Sequence, residues 1–466
     1  MKNLYGLYCI DLIINDVKTN SKEVKNKDLF VCVKGINEDR HKYIKEALEK
    51  GASGLIVSKG KNYSVPYVKV KNVNAELTSI LNYVYSNAKK IKLIAVTGTD
   101  GKTTVASIVR NLLGNDLCGY IGTNGVLGQY IRSSLENTTP SIEVIYKYLN
   151  LFYDEGLKYA SIETSSEGML YKRTGDFCFD VAILTNFTED HLNVHKTIKN
   201  YLNCKKKVFS KVSKNGVSIL NSDDLYFKEF KKSCKSKIIT YGKNVKSDLR
   251  ILEYKLSSYG TKIYYLYDGK KYIIDSPLLG EFNVYNLSAA ICLMLYYGYD
   301  FSSIRKKVFD IKIPLGRCEF LNYNTKYKIC LDYAHTENGV KNILTFLNKI
   351  KNNRIITVMG APGGREKEKR VGMGKNSQIL SDLVIYTMDD PRFEDVFDII
   401  NDLIYDKVNN YLIVFDRSLA INLALKLAER NDIVAILGKG RDNYMAIGDK
   451  KIFYSDILVI DNYFKK

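Results

Sequence analysis

The chain has 466 residues, 45% of them hydrophobic, which suffices for two to four domains with real cores. Its net charge of +19 (70 Lys and Arg against 51 Asp and Glu) is scattered in short runs such as Lys205-Lys206-Lys207 and Lys306-Lys307, and no helix-turn-helix, zinc-finger or RNA-binding signature accompanies it; a solvated lysine-rich surface is expected, with no nucleic-acid partner. Nine cysteines lack a CxxC or paired spacing, the N-terminal stretch is broken by Asp11 and has no cleavage-site pattern, and no apolar run approaches the ~18 residues of a membrane span, so a reduced, cytoplasmic protein with no membrane contact is expected.

Residues 1–90 alternate short apolar runs (Leu29 to Val33, Gly54 to Val57, Tyr67 to Val70) with helical stretches such as Tyr43 to Lys50, the pattern of a small α/β domain. The polar Asn87-Ala88-Lys89-Lys90 marks its end. A second domain, 91–314, opens with the apolar run Leu93 to Val96, which fits a buried parallel strand. That run enters Thr97-Gly98-Thr99-Asp100-Gly101-Lys102-Thr103-Thr104 and then a helical pattern with Val105, Ile108 and Val109 on one side. Strand, glycine turn and helix start form the context of a phosphate loop: glycines let the backbone approach an oxyanion, and the helix N-terminus offers unpaired N–H groups. Lys102 would neutralise β- and γ-phosphate charge, and the Thr103 hydroxyl would complete a Mg²⁺ shell. Val96 stands where the standard pattern has a glycine, so this loop is a shortened variant. ATP and Mg²⁺ are the expected cofactors.

Further strands (Tyr159 to Ile162, Val181 to Leu184, Val217 to Leu220) alternate with helices, as in a doubly wound, mostly parallel sheet with the loop at a strand's carboxyl end. An antiparallel hairpin is expected at Ile251 to Ile274, turning at Asp268-Gly269. Pro314-Leu315-Gly316 reads as a hinge. The third domain, 315–466, repeats an α/β pattern of Rossmann type, with strands near Ile329 to Leu331, Ile355 to Val358, Leu383 to Tyr386, Leu412 to Phe415 and Ile433 to Leu437.

Three clusters follow the loop at strand ends: Ser161-Ile162-Glu163-Thr164-Ser165-Ser166, Thr185 to His195 with His191 and His195, and the basic helical stretch Tyr201 to Phe209. Each alone has a plain explanation as a helix cap or a surface pair. Their shared place behind buried strands, where ligands of open α/β sheets collect, favours a site.

Other stretches extend the pattern in order. They are Asn20-Ser21-Lys22, Asp39-Arg40-His41, Asn137-Thr138-Thr139-Pro140, Leu279 to Asn286, Gly316-Arg317, Leu331 to Thr336, Met388-Asp389-Asp390-Pro391-Arg392 and Gly438-Lys439-Gly440. With the phosphate loop they resemble the Mur ligase family, the ATP-dependent amide-forming ligases of bacterial cell-wall precursor synthesis. Within the family the likeness is to members that add the third amino acid to UDP-N-acetylmuramoyl-L-alanyl-D-glutamate.

The resemblance implies nucleotide contacts at Gly98, Thr99, Gly101, Lys102, Thr103, Thr104, Asn286, Arg317 and Asp332. It implies uridine contact at Ser21, dipeptide contacts at Thr138, Thr139, Ser165 and Arg173, and amino-acid contacts at Asp390, Arg392, Gly438 and Asp442. Lys102, Glu163, His191, Lys205 and His335 are the implied catalytic residues. Thr103 and Glu163 would hold one Mg²⁺, and His191 and Lys205 a second, with Lys205 carbamylated by CO₂ into an anionic oxygen donor. The implied partners are the UDP-N-acetylmuramoyl dipeptide and an amino acid, with the enzyme a monomer. The dipeptide carboxylate would attack the ATP γ-phosphate, and the amine would displace phosphate from the acyl phosphate.

Departures from the family pattern are Glu167 for a histidine, Tyr171 for a glutamine, Gly364 for an aspartate, Asp390 for an asparagine, and Arg441 and Asp442 for His and Glu. Arg392 could clamp a carboxylate on the incoming amino acid, whereas the added charge of Asp390 favours a cationic group nearby. Competing readings are a paralogue using another carboxylate acceptor, which Glu167 and Tyr171 suggest, and a silent nucleotide-binding platform. A folate-polyglutamating relative fits less well, because the N-terminal region resembles a uridine-nucleotide binder.

Overall fold

The computed structural model describes residues 2–35, 38–312, 315–364 and 367–465. Pro314 of the expected hinge lies outside the described residues. A small parallel sheet comes first, ordered Val17–Lys18, Leu29–Val31, Gly54–Val57, Tyr67–Lys69. Its two inner strands are buried throughout, as their unbroken apolar runs require.

The large central sheet has eleven strands. Lys92–Thr97 lies between Tyr159–Glu163 and Phe179–Leu184, all three parallel, with Val96 opposite Glu163 and Thr97 opposite Leu184. The parallel set runs from Cys118–Gly122 on one side to Leu249–Leu256 on the other, through Val212–Asn221 and Lys237–Gly242. Two antiparallel strands flank it at each edge. This is the doubly wound, mostly parallel sheet read from the sequence. After Lys92–Thr97 the chain first winds to one side and later to the other, which opens a crevice at that strand's carboxyl end.

The hairpin expected at Ile251 to Ile274 is a three-stranded meander, Leu249–Leu256, Thr261–Tyr267 and Lys270–Ser276. The Asp268-Gly269 turn is present, with both residues left-handed (φ 47° and 71°). A second turn at 257–260, closed by Ser257 N–H donating to Gly260 O, divides the first arm. A Cβ at Gly260 would lie 2.5 Å from Ser276 O, so only glycine fits that return.

The third sheet is ordered Glu319–Leu321, Lys328–Asp332, Ile433–Leu437, Ile355–Met359, Leu383–Tyr386, Tyr411–Ile413. Its first pair is antiparallel and the rest parallel. Asp332 and Leu437 are register partners, so Asp332 and the loop after Leu437 share one end of the sheet. Helix Glu281–Tyr296 is buried nearly all round, packed against the parallel sheet and against helix Lys102–Leu113. Among the described residues no helix is long and apolar enough to cross a membrane.

Candidate functional site

The glycine loop between Thr97 and Lys102 is held in shape by the next strand's end. Thr185 Oγ1 donates to Asp100 O at 2.6 Å, Asp100 N–H donates to Asn186 Oδ1 at 3.0 Å, and Thr99 Oγ1 donates to Thr188 O at 3.0 Å. A Cβ at Gly98 would sit 1.8 Å from Thr185 Oγ1, and one at Gly101 (φ 81°) 2.5 Å from Asn286 Oδ1. Helix Lys102–Leu113 starts directly from Gly101, and Thr103 and Thr104 lie in its first turn. The Lys102 ammonium curls over the loop onto Gly98 O (3.0 Å) and Thr99 O (2.7 Å). A loop of this shape with a cation folded over it is a ready anion cradle.

Glu163, fully buried at the end of its strand, is the polar centre beside that loop. Thr103 Oγ1 donates to Glu163 Oε2 at 2.9 Å, Thr123 N–H donates to Oε1 at 2.9 Å, and the Tyr120 hydroxyl donates to Oε1. Burial and the facing carboxylate push the Tyr120 phenol well up. Among the described residues no three His, Cys, Asp or Glu side chains converge as an all-protein metal site. A hydroxyl and a carboxylate one hydrogen bond apart fit Mg²⁺, which takes few protein oxygens and completes its shell with water and phosphate.

Thr139 ties the neighbouring segment to Glu163: its hydroxyl donates to Glu163 O at 2.8 Å and accepts from Ser165 N–H at 2.9 Å. Arg173 Nη1 donates to Thr139 O at 3.0 Å, and Thr138 Oγ1 is 3.2 Å from Thr123 Oγ1. Thr138, Thr139, Ser165 and Arg173 thus gather around the Glu163 strand end.

Of the three consecutive lysines on helix Ile198–Ser210, only Lys205 is buried, at 1% exposure; Lys206 reaches outward to Glu229. Lys205 Nζ donates to Gly98 O at 2.6 Å. Burial, and then the Lys102 ammonium, hold its pKa well below the ordinary lysine value. His191, left-handed at φ 55°, has Nδ1 3.5 Å from Glu167 Oε1 and Nε2 3.4 Å from Asp190 Oδ2. Burial raises the Asp190 pKa, but His191 and Lys369 outweigh it and hold the carboxyl below the usual range. His195 is buried, with Nε2 2.9 Å from Ser166 Oγ.

Across the loop lies a cleft of about 700 Å³ whose far wall comes from the third sheet's end. Asn286, Arg317, Asp332 and His335 all line it. Arg317 Nη2 donates to Thr103 Oγ1 at 3.5 Å, its guanidinium lies over the Tyr333 ring, and Asn338 Nδ2 donates to Asp100 Oδ2 at 3.2 Å. Asp332 accepts from Cys318 N–H (2.6 Å) and Ala334 N–H (2.8 Å), and burial raises its pKa.

At the same end of the third sheet, Gly438 N–H donates to Asp332 O at 3.1 Å. The next residue, Lys439, is buried with its ammonium 2.8 Å from Asp390, 3.7 Å from Asp389 and 4.0 Å from Asp442. Asp390 Oδ1 also accepts Ala446 N–H at 2.8 Å. The cationic neighbour expected of Asp390 is therefore the chain's own Lys439, not an open place for a ligand. Arg392, left-handed at φ 53°, is exposed, and among the described residues no carboxylate pairs with it. Ser21 stands apart in the small N-terminal sheet, donating to Glu46 Oε2 at 2.7 Å. Sequence reasoning did not assign Tyr120, Thr123, Asn338 or Lys369 to the site; only Thr123, directly after a strand's carboxyl end, left a positional signal.

Two family models match the chain: the Mur ligase middle domain over residues 96–294, and the Mur ligase glutamate ligase domain over 316–440. An Aquifex aeolicus protein named UDP-N-acetylmuramoyl-L-alanyl-D-glutamate--2,6-diaminopimelate ligase is 35% identical over 453 residues, 96% of this chain and 93% of its own. A Clostridium acetobutylicum protein of the same name, numbered 2, is 36% identical, covering 97% and 95%. A solved structure of a ligase with that name superposes with a TM-score of 0.66 at 25% identity, covering 100% of this chain and 99% of the other. MurF ligase of Thermotoga maritima in complex with ADP gives 0.69 at 20% identity, covering 92% and 95%, a likeness of fold.

Proposed function

The chain belongs to the Mur ligase family and is an ATP-dependent amide-forming ligase, and we propose that it joins an amino acid to the D-glutamyl carboxylate of UDP-N-acetylmuramoyl-L-alanyl-D-glutamate. The observation that carries this reading is the Thr103–Glu163 hydrogen bond beside a preshaped anion loop, facing a cleft walled by the third sheet. A carboxylate is a poor electrophile at neutral pH, so its oxygen first attacks the γ-phosphorus of ATP and ADP leaves. The amine then adds to the acyl carbon of the acyl phosphate, and inorganic phosphate departs as the amide forms. Catalysis of this kind is mostly positioning and charge neutralisation.

In this reading the Gly98, Thr99, Gly101 and Thr104 backbone groups and the Lys102 ammonium cradle the phosphates. Thr103 and Glu163 would hold Mg²⁺, which when bound neutralises charge on the β- and γ-phosphates. His191 and a carbamylated Lys205 would hold a second ion. The buried, readily neutral Lys205 supports carbamylation, because the free amine is the form that adds to CO₂ with loss of a proton. Asn286, Arg317, Asp332 and His335 flank the nucleotide across the cleft. Thr138, Thr139, Ser165 and Arg173 receive the dipeptide, and Ser21 the uridine end. Three domains, 1–90, 91–314 and 315–466, divide this work in a cytoplasmic monomer.

Because Lys439 neutralises Asp390 while Arg392 stays open, the incoming amino acid is one with a second carboxylate, a diaminodicarboxylate, bound by Arg392 beside Gly438 and Asp442. The test is phosphate release from ATP and Mg²⁺ with the UDP-linked dipeptide across a panel of amino acids. Release that requires both the dipeptide and a diaminodicarboxylate is expected, with Arg392→Ala raising KM for that amino acid about tenfold or more. Release with lysine alone would overturn the amino-acid assignment, and release with another acceptor would favour the paralogue reading.

A further inference from the structure

Lys369 and Asp190 meet across the seam between the central and third sheets. Asp190 Oδ1 accepts both the Lys369 ammonium and the backbone N–H of His191, the latter at 2.8 Å, while Oδ2 lies 3.4 Å from His191 Nε2. One carboxylate therefore grips His191 by backbone and ring together. It holds a non-glycine residue left-handed, a conformation that persists only where its surroundings over-determine it. Lys369 is presented rigidly. It sits in the first turn of helix Lys367–Leu380, beside Arg370, which is 1% exposed and pinned to Glu394 (2.8 Å) and Asp402 (2.9 Å). Lys369 and Asp190, with Thr99 and Asn338, help to line a cavity of about 810 Å³.

We propose that Lys369 is a positioning residue of the ligase reaction: reaching across the seam, it fixes Asp190, and through Asp190 the imidazole of His191, so that this corner of the site is complete only with the third sheet docked. The inference rests on the ligase reading. A side chain that orients a metal donor shifts metal affinity without shifting nucleotide affinity. That separates it from a merely structural role.

Full-length Lys369→Met, Lys369→Arg and Asp190→Asn enzymes are loaded with a non-hydrolysable ATP analogue, and Mn²⁺ binding is read by electron paramagnetic resonance. This arm needs no acceptor, so its outcome is independent of which carboxylate the enzyme uses. Lys369→Met and Asp190→Asn should each weaken the weaker class of Mn²⁺ site about tenfold, with analogue affinity within about twofold of wild type. The double variant should be no worse than either single, because one chain of contacts is cut twice. Lys369→Arg should restore binding to within about threefold, since a guanidinium also reaches a carboxylate. With the UDP-linked dipeptide, kcat should fall in parallel while KM for ATP holds. Unchanged Mn²⁺ binding in Lys369→Met, or losses that multiply in the double variant, overturns the proposal. Should Lys369→Met melt early, the other two variants decide: intact Mn²⁺ binding in Asp190→Asn, or none regained in Lys369→Arg, overturns it equally.

Discussion

The central sheet meets its two neighbours in opposite ways. Toward the N-terminus the junction is a shared core: Ile14, Val17, Ile80 and Leu81 pack in one continuous apolar cluster with Leu93, Ala95, Tyr146 and Phe177. Polar groups only trim it, as where Lys147 Nζ lies 2.6 Å from Asp16 and Thr19 Oγ1 donates to Glu143 at 2.6 Å. Toward the C-terminus the third sheet keeps cores of its own, to which the central region lends little beyond Leu279 and the partly buried Leu256 and Phe282. The seam there is polar, made by Arg317 to Thr103, Asn338 to Asp100, Lys369 to Asp190 and Lys349 to Glu281, around an open cleft. Apolar burial is lost in proportion to the area exposed, whereas a few part-buried or exposed polar contacts exchange with water at a smaller net cost. The apolar junction is the harder to separate, and the proposed nucleotide site lies at the polar one.

Cross-linking separates the two most sharply. In a background with the exposed Cys9 and Cys178 replaced by Ser, cysteines at Glu281 and Lys349 joined by a short bis-maleimide should cut turnover about 100-fold relative to the unlinked variant. The same linker between positions 16 and 147 should leave it within about twofold. Equal losses, or none, would erase the distinction. Next in size, Ile80→Ala in the shared core should cost roughly 2–5 kcal/mol and lower one calorimetric transition common to the N-terminal and central parts. An early transition of the N-terminal part alone would show two cores instead of one. The smallest effect belongs to Asn338→Ala, which removes a single seam hydrogen bond worth about 0.5–1.5 kcal/mol. It should lower kcat a few-fold and leave the melting temperature in place.

Fold and family were legible because their signals are local. Thr97 to Thr104 names its own context, strand before and helix after, and the run Leu93 to Val96, read as a buried parallel strand, is buried, whereas the edge strands Tyr67–Lys69 and Tyr411–Ile413 are not. The meander escaped because Ser257 to Gly260 makes its turn through an approach to Ser276, a contact that no four-residue pattern carries. Within the site, Thr103 and Glu163 are far apart in the chain and were paired by family resemblance alone. Tyr120 and Lys369 carried no signal at all, since a tyrosine in a buried strand and a lysine in a lysine-rich helix look ordinary until the fold brings them to Glu163 and Asp190. Asp390 shows the converse. Its charge was visible, but the partner that neutralises it sits 49 residues on, so the sequence suggested an opening that Lys439 fills.

The collision awaiting any side chain at Gly98 bears on drug resistance. Even alanine there would drive its methyl carbon into Thr185 Oγ1, a hydroxyl itself engaged in holding the loop. An inhibitor that rests on the Gly98 backbone therefore leans on a surface that point substitution cannot reshape without first dismantling the loop. Escape would have to arise elsewhere, at positions whose side chains do not shape the loop.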